Sequence, residues 1–262
     1  MQELVHVTYE QTGESQHQDA MGMRAMQRRV FKERGSQYLL VKAPPPSGKS
    51  PALSFVGLDK LENQGVRKVI VAVPEKSIGN SFRTTDLSSG GFFTDWVVAS
   101  RWNLCTDEPE TRTVEKGKVQ AFKSFLTQPD KILVCTHATL RFAFDELGPE
   151  PFDGCVLAVD EFHHASAHEE NRLGEVVRAL VERDKAHIVA MTGSYFRGDA
   201  EMVLRPEDEA KFTRVTYTYF EQLNGYEHLK SLGIGYHFYK GVYLDSISEV
   251  LDPNKKTIIH IP

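Results

Sequence analysis

Short runs of almost unbroken Val, Ile, Leu and Ala constrain this chain more than any other feature. They are Tyr38–Ala43 (YLLVKA), Val66–Pro74 (VRKVIVAVP), Asp95–Ser100 (DWVVAS), Lys131–Thr136 (KILVCT), Cys155–Asp160 (CVLAVD) and His187–Gly193 (HIVAMTG). Each has the length of a strand, and none alternates apolar with polar residues. A strand with one wet face alternates; a continuous run is buried on both faces, as in a parallel sheet. Helical patterns lie between the runs. Met21–Arg34 stops at Gly35, Ala52–Asn63 ends at Gly65, and Val114–Leu126 ends before Pro129. Glu169–Arg183 carries Leu173, Val176, Val177 and Leu180 at the spacing of one helix face. Strand and helix alternate, which predicts an α/β fold: a mainly parallel sheet flanked by helices on both faces.

The flanks differ from this centre. Residues 1–19 are polar and read as a loose N-terminal arm with one edge strand at Glu3–Tyr9. Residues 20–211 hold the alternating pattern. Residues 212–262 are rich in Tyr and Gly and read as an extension. In it, Tyr217–Tyr219 reads as strand, and Thr257–Ile261 as the first strand of a further unit.

A chain of 262 residues can bury roughly three quarters of its unfolded surface, enough for a large core. The net charge of −5 excludes a generally basic nucleic-acid coat or membrane-surface polycation, but not a local basic groove. Cys105, Cys135 and Cys155 form no C-x-x-C pair, so neither a disulfide framework nor a cysteine zinc site is signalled. Free thiols fit a reducing compartment, which points to the cytoplasm. The N-terminal sequence lacks the basic start and apolar run of a signal peptide, and no apolar run reaches membrane-spanning length.

Two motifs carry chemistry. The strand Tyr38–Ala43 runs into APPPSGKS (Ala43–Ser50), and a helix follows. Backbone N–H groups at a helix N-terminus point at phosphate, Lys49 reaches the outer phosphates, and the Ser50 hydroxyl suits Mg²⁺. The three prolines Pro44–Pro46 remove three N–H donors, which leaves those of Ser47, Gly48, Lys49 and Ser50 and predicts weaker-than-usual ATP binding. The second motif closes the run Cys155–Asp160 with Asp160-Glu161-Phe162-His163. An aspartate there can hold Mg²⁺, and a neighbouring glutamate can deprotonate an attacking water. Open parallel sheets bind ligands beyond the carboxyl ends of their strands, so one site can contain both motifs.

With these motifs in order, the chain resembles the first motor domain, a RecA-like ATP-binding domain, of superfamily 2 DExH-type helicases and translocases. The restriction-enzyme-like branch is the nearest. The matching strings are Arg24–Arg28, Ala43–Ser50, Val71–Ser77, VCTHATL (Val134–Leu140), VDEFHHA (Val159–Ala165) and MTGSYFRG (Met191–Gly198). The resemblance implies ATP and Mg²⁺ as ligands. It assigns adenine recognition to Gln27 with Arg24 nearby, and the phosphate cradle to Ser47, Gly48, Lys49 and Ser50. It gives Asp160 and Ser50 to the metal, and makes Glu161 the base. His163, Thr192 and Ser194 become coupling residues, and Pro74, Lys76 and Thr136 contacts to a DNA or RNA strand, DNA favoured. A second RecA-like domain would complete the cleft. A phosphate-loop kinase or switch, or a non-hydrolysing binding module, are the alternatives. His163, His164 and His168 read as coupling and surface histidines rather than a metal cluster. Phe92, Phe93, Trp96 and Trp102 read as core or lid rather than base-stacking platforms.

Overall fold

The computed structural model describes residues 5–106, 115–164, 172–193 and 204–234, together with 240, 241 and 254. Its centre is a sheet of β2 (Tyr38–Lys42), β3 (Lys68–Val73), β4 (Ile132–Thr136), β5 (Cys155–Val159), β6 (His187–Thr192) and β7 (Thr213–Thr216), in the order β4-β3-β5-β6-β2-β7. Every neighbouring pair is parallel. The mainly parallel α/β architecture expected from the continuous apolar runs is what the chain adopts.

The pleat sends alternate residues to opposite faces. Leu40, Ile70, Ala72, Leu133, Leu157, Val159, Ile188 and Ala190 belong to one apolar layer. It is covered by α4 (Glu115–Thr127), α5 (His137–Leu147) and α6 (Arg172–Arg183). Leu39, Val41, Val69, Val71, Val73, Val134, Val156, Ala158 and Met191 belong to the other. That layer lies under α1 (Ala25–Lys32), α2 (Lys49–Asn63) and the segment 80–105. Both faces of the central strands are therefore dry, which is why polar alternation is absent from them.

Three local readings are corrected. Asp95–Ser100 is not a strand: it makes one isolated bridge, Thr85 to Trp96. Its side chains still alternate, with Trp96 and Val98 buried and Val97 exposed, but they cover α2 rather than join the sheet. Trp96 is fully buried, donates from Nε1 to the Phe82 carbonyl at 3.0 Å, and packs where a Cβ on Gly57 of α2 would come within 3.3 Å of its ring. Tyr217–Tyr219 is not a strand either. β7 ends at Thr216, and Thr218 caps the short helix α7 (Tyr219–Asn224) in a reciprocal box with Glu221. Finally, α2 begins at Lys49, ahead of the expected Ala52, because Pro51 is tolerated in a first turn.

Strand β1 (Val5–Thr8) pairs antiparallel with β8 (Ser231–Ile234), tying the N-terminal arm to the 212–262 segment. That segment also supplies β7 to the main sheet. Arg29 holds the same segment to α1: its guanidinium bonds the Thr216 carbonyl and the Glu221 carboxylate and lies 5.1 Å over the Tyr217 ring. Thr257–Ile261 lies outside the described residues. Among the described residues, no helix is long and apolar enough to cross a membrane.

Candidate nucleotide and strand site

Strand register decides what shares an end of the sheet. Lys42 pairs with Thr192, Ala72 with Val159, and Val73 with Thr136. The loops following β2, β3, β4, β5 and β6 therefore leave the same carboxyl edge. The phosphate loop and the acidic doublet, more than a hundred residues apart along the chain, both emerge there.

The phosphate loop is shaped by its prolines. Pro45–Ser47 forms a single 3-10 turn, and Gly48 follows in the left-handed region at φ 87°. Only glycine takes this conformation without strain, and a Cβ here would lie 2.5 Å from the Gln27 side-chain amide. Ser47, expected among the phosphate donors, turns inward: its backbone N–H and its hydroxyl both bond the Pro44 carbonyl, at 3.1 and 2.6 Å. The first backbone bond of α2 runs from Ala52 N–H to the Gly48 carbonyl. The N–H groups of Lys49 and Ser50 thus sit in the first turn, where a helix leaves donors for an anion.

Lys49 and the acidic doublet meet. The Lys49 ammonium is 3.9 Å from a Glu161 carboxylate oxygen and 3.2 Å from the Ala43 carbonyl, which it bonds. Its side chain is only 6% exposed. Burial lowers its pKa from the usual lysine value, and Glu161 and Asp160 pull the other way. Asp160 is buried at the end of β5, its N–H bonded to the Ala72 carbonyl. Burial, and then the neighbouring Glu161 charge, push its carboxyl up to about 6. Glu161 adopts the left-handed region, φ 49°, uncommon for a residue with a Cβ. Its N–H folds back to an Asp160 carboxylate oxygen at 3.0 Å.

The doublet is wired to its neighbours. His163 Nδ1 lies 3.2 Å from the second Glu161 oxygen and 3.1 Å from the Thr192 hydroxyl. The Thr192 carbonyl accepts from Ala43 N–H, so the end of β6 is held to the start of the phosphate loop. Gly193 faces the Pro45 ring and the Lys49 ammonium: a Cβ there would be 3.5 and 3.6 Å from them. Gln27 is buried on α1; its oxygen accepts from Arg24 N–H at 2.8 Å, and its amide donates to the Gly48 carbonyl at 3.2 Å.

Beyond the doublet, over β3 and β4, lie Pro74, Lys76 and Thr136. Lys76 is exposed on the short helix α3 (Lys76–Gly79). Thr136 caps α5, its hydroxyl accepting from Thr139 N–H at 3.2 Å. The next residue was missed by sequence reasoning. His137 is buried, and its Nε2 lies 3.0 Å from the Asp160 carbonyl oxygen. The signal was present in VCTHATL, where a polar ring follows the threonine at a strand end. Ser194, His168 and the side chain of His164 lie outside the described residues.

The four aromatics take core positions with one exception. Phe92, Trp96 and Trp102 are buried, while Phe93 is 52% exposed.

No described protein family matches the chain. It is 58% identical, over all of its 262 residues, to a Bacillus subtilis (strain 168) protein named "Putative ATP-dependent helicase YeeB". The chain spans 43% of that relative's length. Two crystal structures of the UvsW helicase of bacteriophage T4 are similar at 13% identity. One has a TM-score of 0.45, with 73% of this chain and 60% of that chain covered. The other has a TM-score of 0.41, with coverage of 74% and 35%.

Proposed function

We propose that this chain is the ATP-binding motor domain of a DExH-type helicase or translocase that acts on a nucleic-acid strand. The observation that carries the reading is the meeting of Lys49 with Glu161 at 3.9 Å, beside the buried Asp160 and the first turn of α2. A cation, two carboxylates and helix N–H groups at the carboxyl edge of a parallel sheet form a site for a nucleoside triphosphate.

The donor set also fits Mg²⁺. A buried carboxyl pushed to about 6 by burial and by the neighbouring Glu161 charge is a hard-oxygen donor that a divalent cation would relieve. Asp160 and Ser50 would hold it, and the ion would neutralise charge on the outer phosphates.

The chain's own groups do the rest. Lys49 and the N–H groups of Gly48, Lys49 and Ser50 bind phosphate. Gln27, bonded to the Gly48 carbonyl, and Arg24 just before it recognise adenine. Glu161, aimed by its left-handed backbone and by His163, takes a proton from the attacking water. Thr192 and Ser194 with His163 relay the nucleotide state, and Pro74, Lys76 and Thr136 contact the strand backbone. Such contacts read phosphate rather than sequence, so binding falls steeply with salt. The inward turn of Ser47 supports weak ATP affinity. A second RecA-like domain supplying an arginine would complete the cleft and raise turnover on the order of 10³-fold or more. DNA is favoured over RNA, and the nucleotide-binding unit runs from residue 20 past the expected boundary at 211 to include β7.

The test is strand-stimulated ATP hydrolysis by the natural-length protein, wild type and Glu161→Gln. The variant is expected to bind ATP as wild type does and to hydrolyse it at least about 100-fold more slowly, the scale of a lost general base. Equal turnover refutes the assignment. Binding without turnover in the wild type identifies a non-hydrolysing module instead.

A further inference from the structure

The Asp160–Glu161 peptide is held from both sides. Its carbonyl faces His137 Nε2 at 3.0 Å, and its N–H is bonded by the Asp160 carboxylate at 3.0 Å. A carbonyl only accepts, so the His137 Nε2 carries the hydrogen and donates it. Glu161 sits at φ 49° on the far side of this peptide. A side chain bearing a Cβ stays in that region only where its surroundings hold it there. Rotation of the peptide would break both bonds and carry Glu161 out of the left-handed region. The Glu161 side chain that this peptide carries lies 3.9 Å from the Lys49 ammonium and 3.2 Å from His163 Nδ1. The peptide therefore links the backbone of Glu161 to His137 at the centre of the site.

His137 stands between this peptide and the strand-facing turn. It is the first residue of α5, and Thr136 before it is the helix cap. The Thr136 hydroxyl serves the Thr139 N–H at 3.2 Å and the Thr139 hydroxyl at 3.0 Å. A phosphate oxygen that takes the Thr136 hydroxyl hydrogen bonds the same oxygen whose lone pair caps α5, at the helix turn from which His137 reaches Asp160.

We propose that His137 is a positioning residue, which transmits occupancy of the Thr136 turn to the Asp160–Glu161 peptide and so sets the aim of Glu161. This deepens the motor reading and rests on it. Strand and nucleotide then bias one peptide, and by linkage each must change the other's affinity by the same factor.

The test compares His137→Gln with His137→Asn in the natural-length protein. A glutamine amide reaches the place of the imidazole Nε2; an asparagine amide stops near Nδ1. ATP dissociation constants are measured with and without saturating single-stranded DNA or RNA oligonucleotide. Wild type is expected to bind ATP about tenfold more tightly with the strand, within the usual range of coupling between sites. H137Q should keep that factor to within about threefold, whereas H137N should bring it to about one. Both variants should still bind ATP saturably without the strand, which establishes that both fold. If H137N couples as wild type does, or if H137Q and H137N lose coupling alike, the inference is overturned and the motor reading stands. If wild type binds ATP but shows no coupling to any strand, both fall together.

Discussion

Lys49→Met separates binding from stability because the two should move in different directions. The substitution keeps most of the apolar stem and removes the ammonium. That ammonium lies 3.9 Å from Glu161 and 3.2 Å from the Ala43 carbonyl, with 6% of the side chain exposed. A unit charge about 4 Å from a phosphate oxygen contributes about 4 kcal/mol at the effective dielectric of a partly buried site. Hydrogen bonds to charged groups give a net of about 1.5–3 kcal/mol. Part of the desolvation is already incurred in the empty site, since burial lowers the Lys49 pKa. A net loss of about 3 kcal/mol therefore weakens ATP roughly a hundredfold. Stability should not follow. Burial is the largest influence on this group and opposes its charge, so the gain in folding when the charge is removed offsets the loss of the bond to Ala43. We expect a denaturation midpoint equal to wild type or higher. Fluorescent-nucleotide titration and urea unfolding give the two numbers on one preparation. Equal ATP affinity would falsify the placement of phosphate at Lys49. A large stability loss in proportion to the ATP loss would make Lys49 a structural residue.

Acid titration should separate a buried carboxyl and a half-buried imidazole that act in opposite senses. The Asp160 carboxyl is raised from 3.8 to about 6, so the folded state holds a proton that the unfolded state releases between those values. Stability therefore falls as pH rises through that window, by at most about 3 kcal/mol, and Asp160→Asn should be more stable than wild type at pH 8 but not at pH 4. His187, at the start of β6, is lowered from 6.5 to about 4 by burial and by Lys60, whose ammonium is 3.0 Å from its Nδ1. The unfolded state protonates first, so stability falls as pH drops from 6.5 to 4, and His187→Gln should flatten that limb of a urea-midpoint-against-pH curve. A His187→Gln curve as steep as wild type removes the histidine from the account. Gly48→Ala should cost about 2 kcal/mol of stability, from the left-handed backbone and the collision with Gln27, and should weaken ATP further. Crediting Gly48 with only a generic loop role predicts no measurable loss by urea unfolding.

Much of this was open to reading in one dimension because the physics concerned is local or periodic. The runs at β2, β3, β4, β5 and β6 contain no polar alternation, and only burial on both faces permits that. The helix face of Leu173, Val176, Val177 and Leu180 is written at its own spacing. The Gly48-Lys49-Ser50 turn and the Asp160–Glu161 doublet each announce their chemistry through residue type. Asp95–Ser100 shows where such reading stops. Its alternation of buried Trp96, exposed Val97 and buried Val98 is real, yet the surface it covers is helix α2, and no periodicity names the partner across a dry interface.

What only the folded chain decided are matters of register, backbone sign and orphaned donors. Pairing Lys42 with Thr192 and Val73 with Thr136 brought distant loops to one edge, since parallel strands align by crossovers whose closure no single segment encodes. The left-handed Glu161, the inward Ser47 and the bond from His137 to the Asp160 carbonyl arise because each buried polar group must find a partner among whatever tertiary packing sets beside it. Sequence named the lysine and the carboxylates; packing decided which way each of them points.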